Sequence, residues 1–134
     1  MRARSGPTLR ESVLMHAVAR LVLHPLIPNI QTSWVKMGPA GAAICLESGA
    51  NDLGGTLMNE SISRAAGTQH GQEFPPEAME RLILSIGRQQ MQRSTTYGAV
   101  AREREDASRR AAPLAPMVQT VPRKRALLAG ERGA

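Results

Sequence analysis

The chain is short of cysteine, of aromatic rings and of long apolar runs, and each shortage removes a class of protein. Cys45 is the single cysteine in 134 residues, so neither a disulfide framework nor a cysteine-based metal cluster can be built from this chain alone. Set in an apolar helical run, it reads as a small buried hydrophobe. Trp34, Phe74 and Tyr97 are the only aromatics. Large rings supply much of the burial in small cores, so a core of Ala, Leu, Met, Ile and Val is thin and points to a fragment. No apolar run reaches the about 18 residues needed to span a bilayer. The basic N-terminus lacks the continuous apolar block of a signal peptide. A cytoplasmic chain without membrane contact is expected. There is no internal repeat, and neither a P-loop nor a spaced-glycine fingerprint surrounds Gly54-Gly55.

The net charge is +6, but it is unevenly placed. Residues 98–134 carry eight Lys and Arg against four Asp and Glu, while residues 1–97 carry nine against seven. A basic tail on a balanced body is poor evidence for a nucleic-acid partner, because solvated ends are commonly charged. No nucleic acid is expected.

In chain order, residues 1–7 read as a disordered leader. Thr8-Leu9-Arg10-Glu11 has the form of a capping box at a helix start. Val13, Leu14, Ala17, Val18, Leu21 and Val22 then make one apolar stripe that covers a side of something, until Pro25 and Pro28 stop the helix. His16 and His24 fit structural roles on that helix. Asn29 to Met37 has the β-branched and aromatic content of a strand. Gly38-Pro39 breaks it, a short helix follows over Ala40–Ser48, and Gly49 sits where a left-handed cap is expected. A second short strand, Asn51 or Asp52 to Thr56, would make a right-handed βαβ unit with the first. Ser61–Ala66 forms a short helix. Phe74-Pro75-Pro76-Glu77 starts another, with Met79, Leu82, Ile83 and Ile86 on its apolar face and Gly87 closing it. Arg93 to Tyr97 reads as a third strand. The charged Arg102–Asp106 helix has no apolar stripe to dock, and residues 99–134 read as a basic, flexible or loosely helical tail.

The segment from Ala50 to Gly67 gathers glycines, an amide, carboxylates and hydroxyls between apolar stretches, the make-up of a loop that approaches a ligand. It starts at the carboxyl end of a predicted parallel strand, where sites collect in α/β folds. Thr56 and Asn59 are placed to orient a substrate by hydrogen bonds. Glu60 lies beside them and also suits a helix N-terminus. Arg64 serves equally as an anion contact or an ion-pair partner. In the first strand Gln31, Ser33 and Val35 share one face and Thr32, Trp34 and Lys36 the other. Gln31 or Ser33 can line a cavity, and Lys36 at the strand end either reaches a ligand or snorkels to solvent. Asp52, Glu60, His70 and Glu73 do not have the spacing of a metal set.

The run Asn51-Asp52-Leu53-Gly54-Gly55-Thr56-Leu57-Met58-Asn59-Glu60-Ser61-Ile62-Ser63-Arg64-Ala65-Ala66-Gly67, with His70-Gly71 after it, resembles the C-terminal part of the FO synthase family. Leu14-Met15-His16-Ala17-Val18-Ala19-Arg20, Asn29 to Pro39, and Gln92-Arg93 with Thr95 and Tyr97 resemble it too, covering about Thr8 to Tyr97. Gln89-Gln90-Met91 departs from the pattern, which has a proline before the Gln-Arg pair. The resemblance implies a radical S-adenosylmethionine enzyme, a transferase that couples a tyrosine-derived hydroxybenzyl group to 5-amino-6-ribitylaminouracil on the way to the deazaflavin coenzyme F-420. It implies an α/β fold, a (β/α)8 TIM barrel, of which only the last three strands with their helices fit here, since a complete barrel takes about 250 residues. Residues 8–98 would be that part. S-adenosylmethionine and a 4Fe-4S cluster are implied for the full-length family, but its three-cysteine loop is absent, so the chain is expected to be inactive alone and to need a missing N-terminal barrel portion or a separate subunit. Substrate contacts are implied at Gln31, Ser33, Lys36, Thr56, Asn59, Glu60 and His70, with no catalytic or metal-binding residue. Two rivals are a small interaction module whose basic tail holds an acidic partner or RNA, and the menaquinone-pathway branch of the same superfamily.

Overall fold

The computed structural model describes residues 6–56, 62–65, 70 and 73–112. The chain divides into two units, Met1–Gly55 and Thr56–Ala134.

In the first unit, α1 (Leu9–Leu23) starts at the expected capping box. Glu11 Oε2 accepts from the Thr8 N–H at 2.7 Å and from its hydroxyl at 2.8 Å, while Thr8 Oγ1 accepts from the Glu11 N–H at 3.2 Å. These bonds satisfy amides that a helix start leaves open. Only part of the helix's stripe is covered, Val13 and Ala17 being half-buried. Leu14, Val18, Leu21 and Val22 face outward, Leu21 at 81% exposure, whereas His16 and Arg20 are partly covered. No residue of α1 is fully buried.

The expected strand Asn29–Met37 is overturned. Burial alternates from Ile30 to Trp34, with Ile30, Thr32 and Trp34 inward and Gln31 and Ser33 outward, but only Gln31 pairs, in a parallel bridge with Asp52. At Ser33 the backbone turns helical: its carbonyl accepts from the Lys36 and Met37 N–H groups at 3.1 and 3.0 Å. From there α2 (Trp34–Glu47) runs as two helical pieces joined at a kink where Gly38 has φ 68° and ψ 171°. Pro39, whose fixed φ suits a helix start, opens the second piece. Trp34, Val35, Ala42, Cys45, Leu46, Ala50 and Leu53 are buried here. Each large aliphatic chain so covered is worth about 1.5–3 kcal/mol.

Gly49 follows α2 at φ 131°, and a Cβ there would lie 2.8 Å from Arg20 Cβ and 2.9 Å from the His16 carbonyl oxygen. Only glycine meets both demands, so α1 can settle against this turn. The second expected strand, Asn51 or Asp52 to Thr56, reduces to the one bridge. Gly54 takes φ 77° and its N–H donates to Asp52 Oδ1 at 2.8 Å, a side-chain turn that ends the pairing.

In the second unit, α3 (Ile62–Ala65) is one short turn. In α4 (Pro76–Ser85), Pro75 takes the N-cap, Pro76 and Glu77 occupy the first turn and Met79 is buried. Gly87, at φ 70°, lies just past its end. The expected third strand Arg93–Tyr97 is instead a tight turn closed by one antiparallel bridge between Arg93 and Ala99. The Ser94 carbonyl accepts from Tyr97 N–H at 3.1 Å, and the Ser94 hydroxyl accepts from Gly98 N–H at 3.0 Å. Serine that offers the backbone such local partners competes with strand pairing. In α5 (Arg102–Arg109), Arg109 Nη1 meets Glu80 Oε2 of α4 at 2.8 Å, so an ion pair serves where no apolar stripe exists. Both lie at the surface, where such pairs contribute little.

The partial TIM barrel is therefore corrected. Among the described residues the structure is helical, with five helices and two isolated bridges and no sheet. Strand-forming residues at 29–37 and 51–56 do not suffice, because a lone pair of short strands is at best marginal without further neighbours.

Candidate functional site

Arg20 organises the first unit's polar corner. From the inner side of α1 its Nε donates to the Gly49 carbonyl at 2.9 Å, Nη1 to the Pro28 carbonyl at 2.7 Å, and Nη2 to Asn51 Oδ1 at 2.9 Å. The planar guanidinium suits three acceptors held in one fork. Asn51 Oδ1 also accepts from the Ile30 N–H at 2.8 Å, and its amide donates to Asn29 Oδ1 at 3.2 Å. Main-chain bonds complete the join: Asn51 N–H to the Ile30 carbonyl at 3.0 Å and Thr32 N–H to the Asp52 carbonyl at 2.8 Å.

Beyond this corner the chain presents polar groups outward. Gln31 is exposed, with its amide over Gly54, and a Cβ at Gly54 would collide with Gln31 Nε2. Glycine at 54 thus keeps the amide against the turn. Ser33 is exposed at the N-cap of α2, and its side chain makes no capping bond. Lys36 is exposed in the first turn. Trp34 backs this surface, 3% exposed, its Nε1 donating to the Gly55 carbonyl at 2.9 Å. An amide, a hydroxyl and an ammonium on a fixed backbone can orient a polar ligand by hydrogen bonds.

Of the seven expected contact residues, Gln31, Ser33 and Lys36 fall within one short segment of the first unit. Thr56 and His70 are half-buried in the second unit, where the Thr56 carbonyl accepts from the Phe74 N–H at 3.2 Å. Asn59 and Glu60 lie outside the described residues, as does most of the basic tail. Arg20 and Asn51 were not singled out from the sequence. Thr32 was also missed: it is fully buried, and its Oγ1 has no hydrogen-bond partner. The inward phase of the Ile30–Trp34 alternation is the signal that marks it.

The residues present do not fit an iron–sulfur cluster. Cys45 is the sole thiol and is buried within α2, and among the described residues no three His, Cys, Asp or Glu side chains converge to hold a metal ion. Nor, among them, is any helix long and apolar enough to cross a membrane.

Comparison with known proteins places this sequence in a family. Residues 2–105 match the family described as the CofH/MqnC C-terminal region. The chain is 50% identical over 115 residues to the FO synthase of Nocardia farcinica, covering 86% of this chain and 12% of that protein. It is 54% identical over 107 residues to the FO synthase of Streptomyces coelicolor, covering 80% and 12%. It is 52% identical over 98 residues to the 5-amino-6-(D-ribitylamino)uracil–L-tyrosine 4-hydroxyphenyl transferase of Methanopyrus kandleri, covering 73% and 27%. No solved structure matches the chain significantly. It spans about an eighth of the length of the FO synthases it matches. With the match running from the capped α1 into the first turn of α5, this chain belongs to the CofH/MqnC C-terminal region family.

Proposed function

We propose that the chain is the C-terminal segment of an FO synthase, acting in deazaflavin coenzyme biosynthesis as part of an enzyme that joins a tyrosine-derived hydroxybenzyl group to 5-amino-6-ribitylaminouracil. The observation that carries this is the identity of 50–54% over most of the chain to proteins named for that synthesis or that transfer. The same names favour this branch of the family over the menaquinone branch. Within the enzyme, Gln31, Ser33 and Lys36 contact the substrates, with Thr56, Asn59, Glu60 and His70 contributing from the following segment. Their work is to bind and orient. The ligands of the cluster belong to residues outside this chain, because one buried thiol cannot ligate a three-thiolate cluster, and S-adenosylmethionine is a cofactor of the full-length enzyme.

The test is a chimera: the Streptomyces coelicolor FO synthase with its matched 107 residues replaced by those of this chain. It should form the coupled deazaflavin product, while the present chain by itself should release no deoxyadenosine after iron–sulfur reconstitution. Turnover by the chain alone, or a folded chimera without product, would overturn the proposal. Gln31→Ala in the chimera should raise KM more than it lowers kcat, as for a residue that binds ground and transition states alike.

A further inference from the structure

We infer that the outward face of α1 is the surface by which this chain docks on the rest of its family's polypeptide. The inference rests on the reading above that the chain works as part of a larger enzyme, and it names the surface.

A helix at the edge of a soluble body turns its apolar stripe inward and its charges to water. Here the covered side mixes Val13, Ala17 and Leu23 with His16 and Arg20, and a second apolar face is left outward. Arg20 is turned toward Gly49, Pro28 and Asn51 by the contacts already described. Met15, Val18, Leu21 and Val22 are 69%, 51%, 81% and 70% exposed, and Leu26 in the following turn is 89% exposed. The polar anchors hold that orientation, so the helix cannot roll its stripe inward without breaking the Arg20 fork. An aliphatic surface kept outward in this way is the mark of an interface.

The occupant follows from length. The matched region is 12% of each FO synthase relative, so in those proteins most of the polypeptide is joined to it. A tethered body of that size meets the face at high effective concentration. Its chemistry is set by the stripe: an aliphatic surface with few charges opposite Val18 and Leu21.

Thiol labelling tests this without reference to turnover. Leu21→Cys and Val18→Cys are made in the chain alone and in the chimera described above, with unsubstituted Cys45 as the buried background. Maleimide should modify both positions rapidly in the chain alone and about tenfold or more slowly in the chimera, as expected for a protected site. Equal rates in the two proteins would overturn the inference. Protection already present in the chain alone, with a dimer by light scattering, would overturn it in favour of a second copy. Protection in a chimera that lacks turnover would support the docking face while defeating the proposed activity. Turnover with unprotected thiols would do the reverse.

Discussion

Arg20 Nη2 and the Ile30 N–H share one acceptor, Asn51 Oδ1, at 2.9 and 2.8 Å. A helix, an extended segment and the turn after α2 are thereby fixed through a single side-chain amide. Hydrogen bonds from a charged donor contribute about 1.5–3 kcal/mol when well placed. Two of Arg20's three bonds are exposed, so Arg20→Ala should cost about 1–3 kcal/mol of stability in denaturant unfolding. Arg20→Lys keeps the charge but not the fork, and should recover less than half of the loss.

Gly49 is the backbone side of the same join. Gly49→Ala puts a methyl at φ 131° and against Arg20 Cβ and the His16 carbonyl. A left-handed backbone with a side chain costs on the order of 1–3 kcal/mol, and the collision adds to it. Unfolding midpoints should fall at least as far as for Arg20→Ala, and a neutral result would contradict the close approach.

Thr32→Val should raise stability. The Oγ1 is buried without a partner, and an unsatisfied polar group costs about 1–3 kcal/mol to bury, which a nearly isosteric methyl avoids. Thermal unfolding of the single variant checks this. A drop would mean that the hydroxyl is paired in solution.

Acid should loosen the start of α1. Glu11 has its carboxyl held below the ordinary value of 4.5, first by the Thr8 backbone N–H and then by its hydroxyl. A depressed acid contributes stability above its usual value and loses it as pH falls through the lower folded value. The cap should therefore hold at and above pH 4.5 and fray below it. An NMR titration of Glu11 with the Thr8 amide shift reports both events, and Thr8→Ala should move the Glu11 midpoint upward while costing about 1 kcal/mol.

What could be read from the sequence was local. The Thr8 cap, the Pro75-Pro76 start of α4, its close at Gly87 and the left-handed position at Gly49 depend on neighbours a few residues away, and all are present. The strands were misread because Ile30–Trp34 has strand alternation but pairs at only one residue, and pairing is a long-range property. Which side of α1 is covered was equally hidden, since Arg20 is turned inward by acceptors at Pro28, Gly49 and Asn51. In the site, that Gln31 and Ser33 share a face was legible; that the face is outward, and that Val35 leaves it for the core while Lys36 joins the surface, was not, because the chain turns helical at Ser33. The buried Thr32 hydroxyl was not, because its lack of a partner is visible only once its surroundings are assembled.

Every acceptor that Arg20 grips is later in the chain than Arg20 itself. On the ribosome, α1 therefore emerges before the groups that orient it, as a 15-residue helix of marginal stability on its own. Pro28 and Gly49 supply their carbonyls first, and the fork is complete only when Asn51 follows. Asn51 is the last of these groups to be made, and its arrival fixes the helix with Met15, Val18, Leu21 and Val22 turned outward.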